Sequence, residues 1–160
     1  MELSVKDDIL IVTKTDTKGI IIYASPYFQE LVGYTEEELV GKPHNIIRHP
    51  KMPKAVFKLL WDKIRNKEEV NAIVINSTKN KDFYWVKANV TPSFDSSGNI
   101  IGYFSVRRKV SESSVQAISK IYDEMLRIER QSSMKESLEY LLTLLKEQKV
   151  EYEDFISTLN

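Results

Sequence analysis

The residues best suited to chemistry lie in one run, HNIIRHPKM, at positions 44–52. It holds both histidines of the chain, His44 and His49, with Arg48 between them and Lys51 two residues further on. A guanidinium presents a planar fork of donors that matches phosphate or carboxylate oxygens. An imidazole can donate, accept or ligate a metal, depending on its tautomer. Asn45 adds an amide apt to close a turn. These groups could hold the anionic edge of a cofactor, or they could fold back a loop set between Pro43 and Pro50. Asn76, at the end of VNAIVIN, carries a donor and an acceptor together; as a residue ending a strand it would need no ligand. Phe57, Trp61 and Trp85 offer large apolar faces, which fill cores more often than cofactor sites. Arg107 and Arg108 read as the solvated end of a strand.

Composition limits what these residues can serve. A chain of 160 residues favours one domain with an appendage, and 42% hydrophobic residues can fill its core. Twenty-three basic and 23 acidic residues leave a net charge of +0, so no global field draws in nucleic acid or an anionic membrane. The absence of cysteine excludes disulfides, thiolate metal sites and cysteine nucleophiles. No apolar run approaches the ~20 residues that span a bilayer, and the start has no signal-peptide pattern. A cytoplasmic location is expected, with any membrane association made through a partner. No nucleophile–base or metal-ligand constellation is visible, so an enzyme is not expected.

The elements that position these residues follow from pattern. Ile9 to Thr13 and Ile20 to Ala24 read as a hairpin around TDTKG. Ser25-Pro26 starts a short helix that Gly33 can end, and Thr35 with Glu38 forms a capping box for another. After Pro53, residues Phe57, Leu60, Trp61 and Ile64 fall on one helical face. VNAIVINST, FYWVKANVTPSF and IIGYFSVRRKV are strand-like and separated by short turns, which implies antiparallel pairing. The order β-β-α-α-α-β-β-β predicts an α+β fold: one five-stranded antiparallel sheet with helices on one face. Residues 1–110 form this domain. Residues 111–160 read as a helical extension, with stripes at Val115, Ile118, Tyr122 and Met125 and at Leu138, Leu141, Leu142 and Leu145. A last short helix is expected in YEDFISTL.

The run YASPYFQELVGYTEEELVGKPHNIIRHPKMPKAVFKLLW, the block NSTKNKDFYWVKANVTP and the strand GYFSVRRK resemble the PAS domains of aerotaxis receptors over roughly residues 9–110. That resemblance implies a PAS fold whose pocket, between sheet and helices, holds FAD noncovalently and reports redox or energy state. Without cysteine, a cysteinyl–flavin adduct is excluded. The resemblance also implies a separate membrane-bound chemotaxis transducer as partner, and a homodimer through flanking helices. Carried over residue by residue, it points to Arg48, His49, Asn45, Lys51, Asn76, Phe57, Trp61, Val70 and Trp85 as cofactor-binding positions. Two matched positions depart from the family pattern: Lys51 stands where a carboxylate is usual, and Val70 where tryptophan is. Two further readings remain compatible with the sequence. One is a sensor holding haem b through His44 or His49; the other is a cofactor-free PAS adaptor that acts through its helical extension.

Overall fold

The computed structural model describes residues 1–148 together with Tyr152, Phe155 and Ile156. Turn chemistry sets the first hairpin. Asp16 Oδ1 accepts from the backbone N–H groups of Lys18 and Ile20 at 2.8 and 3.0 Å, and Gly19 takes the required positive φ of 81°. Strands β1 (Ile11–Thr15) and β2 (Ile21–Ala24) flank this turn. β1 runs two residues past the expected Thr13, because Lys14 and Thr15 continue its pairing with the last strand.

Helix α1 (Pro26–Val32) starts at the proline and ends at Gly33, φ 77°. Helix α2 (Glu36–Leu39) has the capping box of Thr35 and Glu38. A 3-10 turn over His44–Ile47 leads to α3 (Lys54–Arg65). Strands β3 (Val70–Ser77), β4 (Phe83–Phe94) and β5 (Ile100–Lys109) then meander back. The sheet is antiparallel throughout, in the order β2-β1-β5-β4-β3. Because side chains alternate across a strand, Thr13, Asn76, Ala88, Ser105 and Arg107 share the face that α3 covers. Ile73, Ile75 and Trp85 lie on the other face.

Helices α4 (Glu112–Gln131) and α5 (Met134–Glu147) cover the β3 side of the sheet. The α4 stripe buries Ile118, Tyr122 and Met125, while α5 buries Leu141 and Leu145 and leaves Leu142 exposed. All five buried residues belong to the same hydrophobic cluster as Ile73 and Ile75. The Tyr122 ring stacks on Trp85 at 6.4 Å. The Tyr122 hydroxyl donates to the Ile73 carbonyl at 2.7 Å, so Tyr152, also 2.7 Å away, is the donor to Tyr122. Glu129 on α4 accepts from the Lys54 and Ala55 amides at 2.9 and 3.2 Å, capping α3 from a distant part of the chain. The last short helix expected in YEDFISTL lies largely outside the described residues; Tyr152, Phe155 and Ile156 of it are helical and buried.

Replacing Tyr122 by Phe removes the donor to the Ile73 carbonyl and the acceptor of the Tyr152 hydroxyl. The expected loss is about 1–3 kcal/mol. At this chain length each kcal/mol lowers the thermal midpoint by roughly 2–4 °C, which calorimetry would read.

Candidate functional site

The face of α3 carrying Phe57, Leu60 and Trp61 stands off from the sheet instead of collapsing onto it. Small side chains on the sheet, Ala72 and Ala88, leave the room, and Trp61 packs edge-on against Tyr103 at 5.4 Å. The result is a cavity of about 340 Å³. Small-molecule sites span ~300–1,000 Å³ and are apolar with a few convergent polar groups. This one has that character, with Val70, Val74 and Val90 adding to its apolar wall.

One end of the cavity is polar and closed. Arg107 is only 7% exposed, its guanidinium reaching His44 Nε2 at 3.0 Å and Thr13 Oγ1 at 3.5 Å. Thr13 Oγ1 and His44 Nε2 are themselves 3.1 Å apart. An arginine only donates, so Nε2 is an acceptor and the histidine proton sits on Nδ1. Burial, reinforced by the Arg107 charge, holds the His44 pKa well below its ordinary 6.5, and the ring is neutral. Burial also lowers the Arg107 pKa, against the influence of Tyr84. Arginine keeps its charge nonetheless. The Tyr84 phenol, pushed up chiefly by burial, stays protonated.

Arg107 is therefore not a solvated strand end. The β5 register turns it inward with Tyr103 and Ser105 and leaves Arg108 exposed. Three buried polar atoms of the cavity wall have no hydrogen-bond partner among the described residues: Asn76 Oδ1, Ser105 Oγ and Arg107 Nε. Asn76 Nδ2 is engaged with the Ile75 carbonyl at 3.3 Å. Buried groups left in this way are costly, and they commonly mark where a ligand binds.

The other end opens to solvent beside Lys18, Asn45 and Arg48. Arg48 pairs with Asn76 through an isolated antiparallel bridge, and its guanidinium lies 4.3 Å from the centre of the Phe57 ring. Two cations thus stand at the mouth, and no carboxylate lines the cavity among the described residues.

Of the residues singled out from sequence, the structure gathers Asn45, Arg48, Phe57, Trp61, Val70 and Asn76 around this cavity, with His44. It does not bring His49, Lys51 or Trp85 to the lining. His49 turns away, its Nδ1 accepting from the Lys51 amide at 3.0 Å and its ring tilted against Phe83 at 5.5 Å. Lys51 is exposed, and Trp85 faces α4 on the far side of the sheet. Sequence reasoning missed Lys18, Thr13, Ser105 and Arg107. The signal for two of them was present: Tyr103, Ser105 and Arg107 follow a period of two, and an inward Tyr103 commits the others to the same face. The haem reading loses its ligand here. The His44 Nε2 lone pair is taken by Arg107 and its Nδ1 carries the proton, while His49 is outside the cavity.

The sequence profile described as the PAS fold matches residues 21–107 of the chain. The aerotaxis receptor of Escherichia coli (strain K12) is 40% identical over 116 residues, which are 72% of this chain and 23% of that protein. A nitrogen fixation regulatory protein of Klebsiella oxytoca is 24% identical over 102 residues, 64% of this chain and 21% of that protein. The chain therefore spans less than a quarter of these relatives. Among solved structures, a light-oxygen-voltage domain from a study with a flavin analogue superposes with a TM-score of 0.61 at 27% identity, covering 71% of this chain and 87% of that one. The dark structure of the blue-light photoreceptor Aureochrome1 LOV gives a TM-score of 0.59 at 28% identity, covering 74% and 86%.

Proposed function

The chain belongs to the PAS fold family, and on that premise we propose that it is a sensor that binds FAD noncovalently and relays cellular redox state to a chemotaxis transducer on a separate, membrane-bound polypeptide. The observation that carries this reading is the cavity with its three unpartnered polar atoms, Asn76 Oδ1, Ser105 Oγ and Arg107 Nε, set in an otherwise apolar slot. A planar ring with alternating donors and acceptors along one edge satisfies such a set, and an apolar slot accepts its faces. When bound, FAD supplies a ring that takes up and returns electrons with a change in protonation at N5. Asn76 offers the ring edge an acceptor. Phe57 and Trp61 exclude water from one side. Arg48 and Lys18 at the mouth suit the pyrophosphate through charge-assisted hydrogen bonds. The aerotaxis receptor as a relative and the light-oxygen-voltage domain of the flavin-analogue study as a structural neighbour support the same cofactor class.

The relay runs through β3. Asn76 faces the cavity, and three residues earlier the Ile73 carbonyl is held by Tyr122 of α4. A change in how Asn76 is paired biases the helices only by as much as the two ligand states differ in interaction energy. No turnover is required. The sensor works in the cytoplasm against its membrane-bound partner; among the described residues no helix is long and apolar enough to cross a membrane. A homodimer through the flanking helices completes the reading.

The test is the visible spectrum of the purified protein after incubation with FAD. Flavin absorption retained through gel filtration is expected; a colourless protein refutes the proposal. Asn76→Ala should weaken FAD binding about tenfold, the equivalent of one buried hydrogen bond, with the circular dichroism spectrum unchanged. Unchanged retention in this variant would remove Asn76 from the site.

A further inference from the structure

Arg107 poses an electrostatic problem that the apo chain does not solve. It is 7% exposed and has no salt-bridge partner among the described residues, and no carboxylate lines its cavity. Its neighbours supply no counter-charge either. His44 accepts from it as a neutral ring, Thr13 is a hydroxyl, and Tyr84 keeps its phenolic proton. A buried cation without an anion is strongly disfavoured, and buried charges in folded proteins are as a rule paired with a group of opposite charge. One guanidinium nitrogen, Nε, is buried and without a partner among the described residues. His44 and Thr13 hold the other nitrogens, so the fork is fixed in orientation before any ligand arrives.

From this we infer that Arg107 is the charge-selecting residue of the cavity: the part of a ligand that reaches it must carry negative charge or gain it. A fixed, desolvated cation interacts far more strongly with developing negative charge than a solvated one does. If FAD is the ligand, which rests on the function proposed above, Arg107 favours the reduced ring, which is the more electron-rich, over the oxidised ring. That makes it a positioning and tuning residue and gives it no part in turnover.

Two experiments on the full chain test this, and they fail separately. In the first, the midpoint potential of bound FAD is measured by reductive titration in wild type, Arg107→Gln and Arg107→Lys. The glutamine variant keeps a donor for His44 but loses the charge. Its preference for reduced over oxidised FAD should fall about tenfold, a drop of ~30 mV for a two-electron couple, with the lysine variant close to wild type. An unchanged potential in Arg107→Gln, or an equal drop in both variants, overturns the inference. In the second, the apo protein is titrated with benzoate and with benzamide, planar probes of similar shape but different charge, and followed by NMR shifts of cavity residues. Wild type should favour benzoate about tenfold and Arg107→Gln should not. Failure of wild type to favour benzoate overturns the inference. Wild type that holds no FAD ends the flavin reading alone, and the probe pair still judges Arg107.

Discussion

Ending the chain after Val110 is expected to destroy the cooperative fold and the cavity with it. Composition suggests a boundary there, since Gly and Pro vanish beyond it and helix formers take over. Packing does not respect that boundary. Ile73 and Ile75 are 0% and 1% exposed in the presence of the helices, and they share one cluster with Ile118, Tyr122, Met125, Leu141 and Leu145. Burial of each large apolar side chain contributes roughly 1.5–3 kcal/mol. Exposing the two isoleucines alone would thus cost ~3–6 kcal/mol, before any loss of the Tyr122 hydrogen bond or of Trp85 stacking. A domain's whole stability is only ~5–15 kcal/mol. The truncation also removes Glu129, which satisfies two amides at the start of α3, the helix that walls the cavity. The expected product binds ANS, gives a broad thermal transition and retains no FAD. A truncated protein with a sharp transition within a few degrees of the full chain would show that the helices are an accessory to the fold. Tyr122→Phe provides the graded version of the same experiment, because it weakens the joint without deleting it.

How much of this was legible in the sequence depends on the kind of signal. The strands and their order were, because β-branched runs and turn residues are local. α3 was, because Phe57, Leu60, Trp61 and Ile64 repeat at helical spacing and Pro53 marks the entrance. Asn76 and Arg48 were found as candidates, and the structure puts them on one cavity, joined by a backbone bridge. The polar end of the cavity was not legible in the same way. It is assembled from β1, the 3-10 turn and β5, whose contributing residues are up to 94 positions apart. Alternation separates Arg107, on the side of Tyr103 and Ser105, from Arg108 on the other, but the register of β5 against β1 and β4 decides which side meets the cavity. The same holds for Glu129, an acidic residue on an exposed-looking helix that caps a helix 74–75 residues away. His49 misled for the opposite reason. It sits in the right motif, but the chain turns at Pro50 and carries its ring to Phe83, outside the cavity.

Acid should loosen this protein through His44 before it protonates any carboxylate with a lowered pKa. The His44 pKa in the folded chain lies well below the 6.5 of an unfolded histidine, first because the ring is buried and then because Arg107 faces it. The folded state therefore binds this proton less readily than the unfolded state does. Stability from the neutral ring is fully present above the unfolded value and is lost progressively as pH falls below it toward the folded value. Where the unfolded chain holds one more proton than the folded one, the slope approaches ~1.4 kcal/mol per pH unit. That corresponds to roughly 3–6 °C in thermal midpoint per unit for a chain of this size. Protonation is doubly resisted, since a charged imidazole would lose its acceptor and set a second cation against Arg107. His44→Gln keeps an acceptor for Arg107 and cannot titrate. It should flatten the fall in thermal midpoint between about pH 7 and pH 5. A residual slope is expected from His49, whose pKa is lowered by partial burial and then by Lys51. The carboxylates with lowered pKa values, Glu38, Asp95 and Glu124, titrate below ordinary values of 4.5, 3.8 and 4.5, so they act in a lower window. Equal slopes in wild type and His44→Gln would mean that His44 takes up its proton as readily in the folded chain as in the unfolded one, which a buried imidazole accepting from Arg107 could not do. The pH profile thus tests the tautomer on which the electrostatics of the whole cavity depend, with no ligand required.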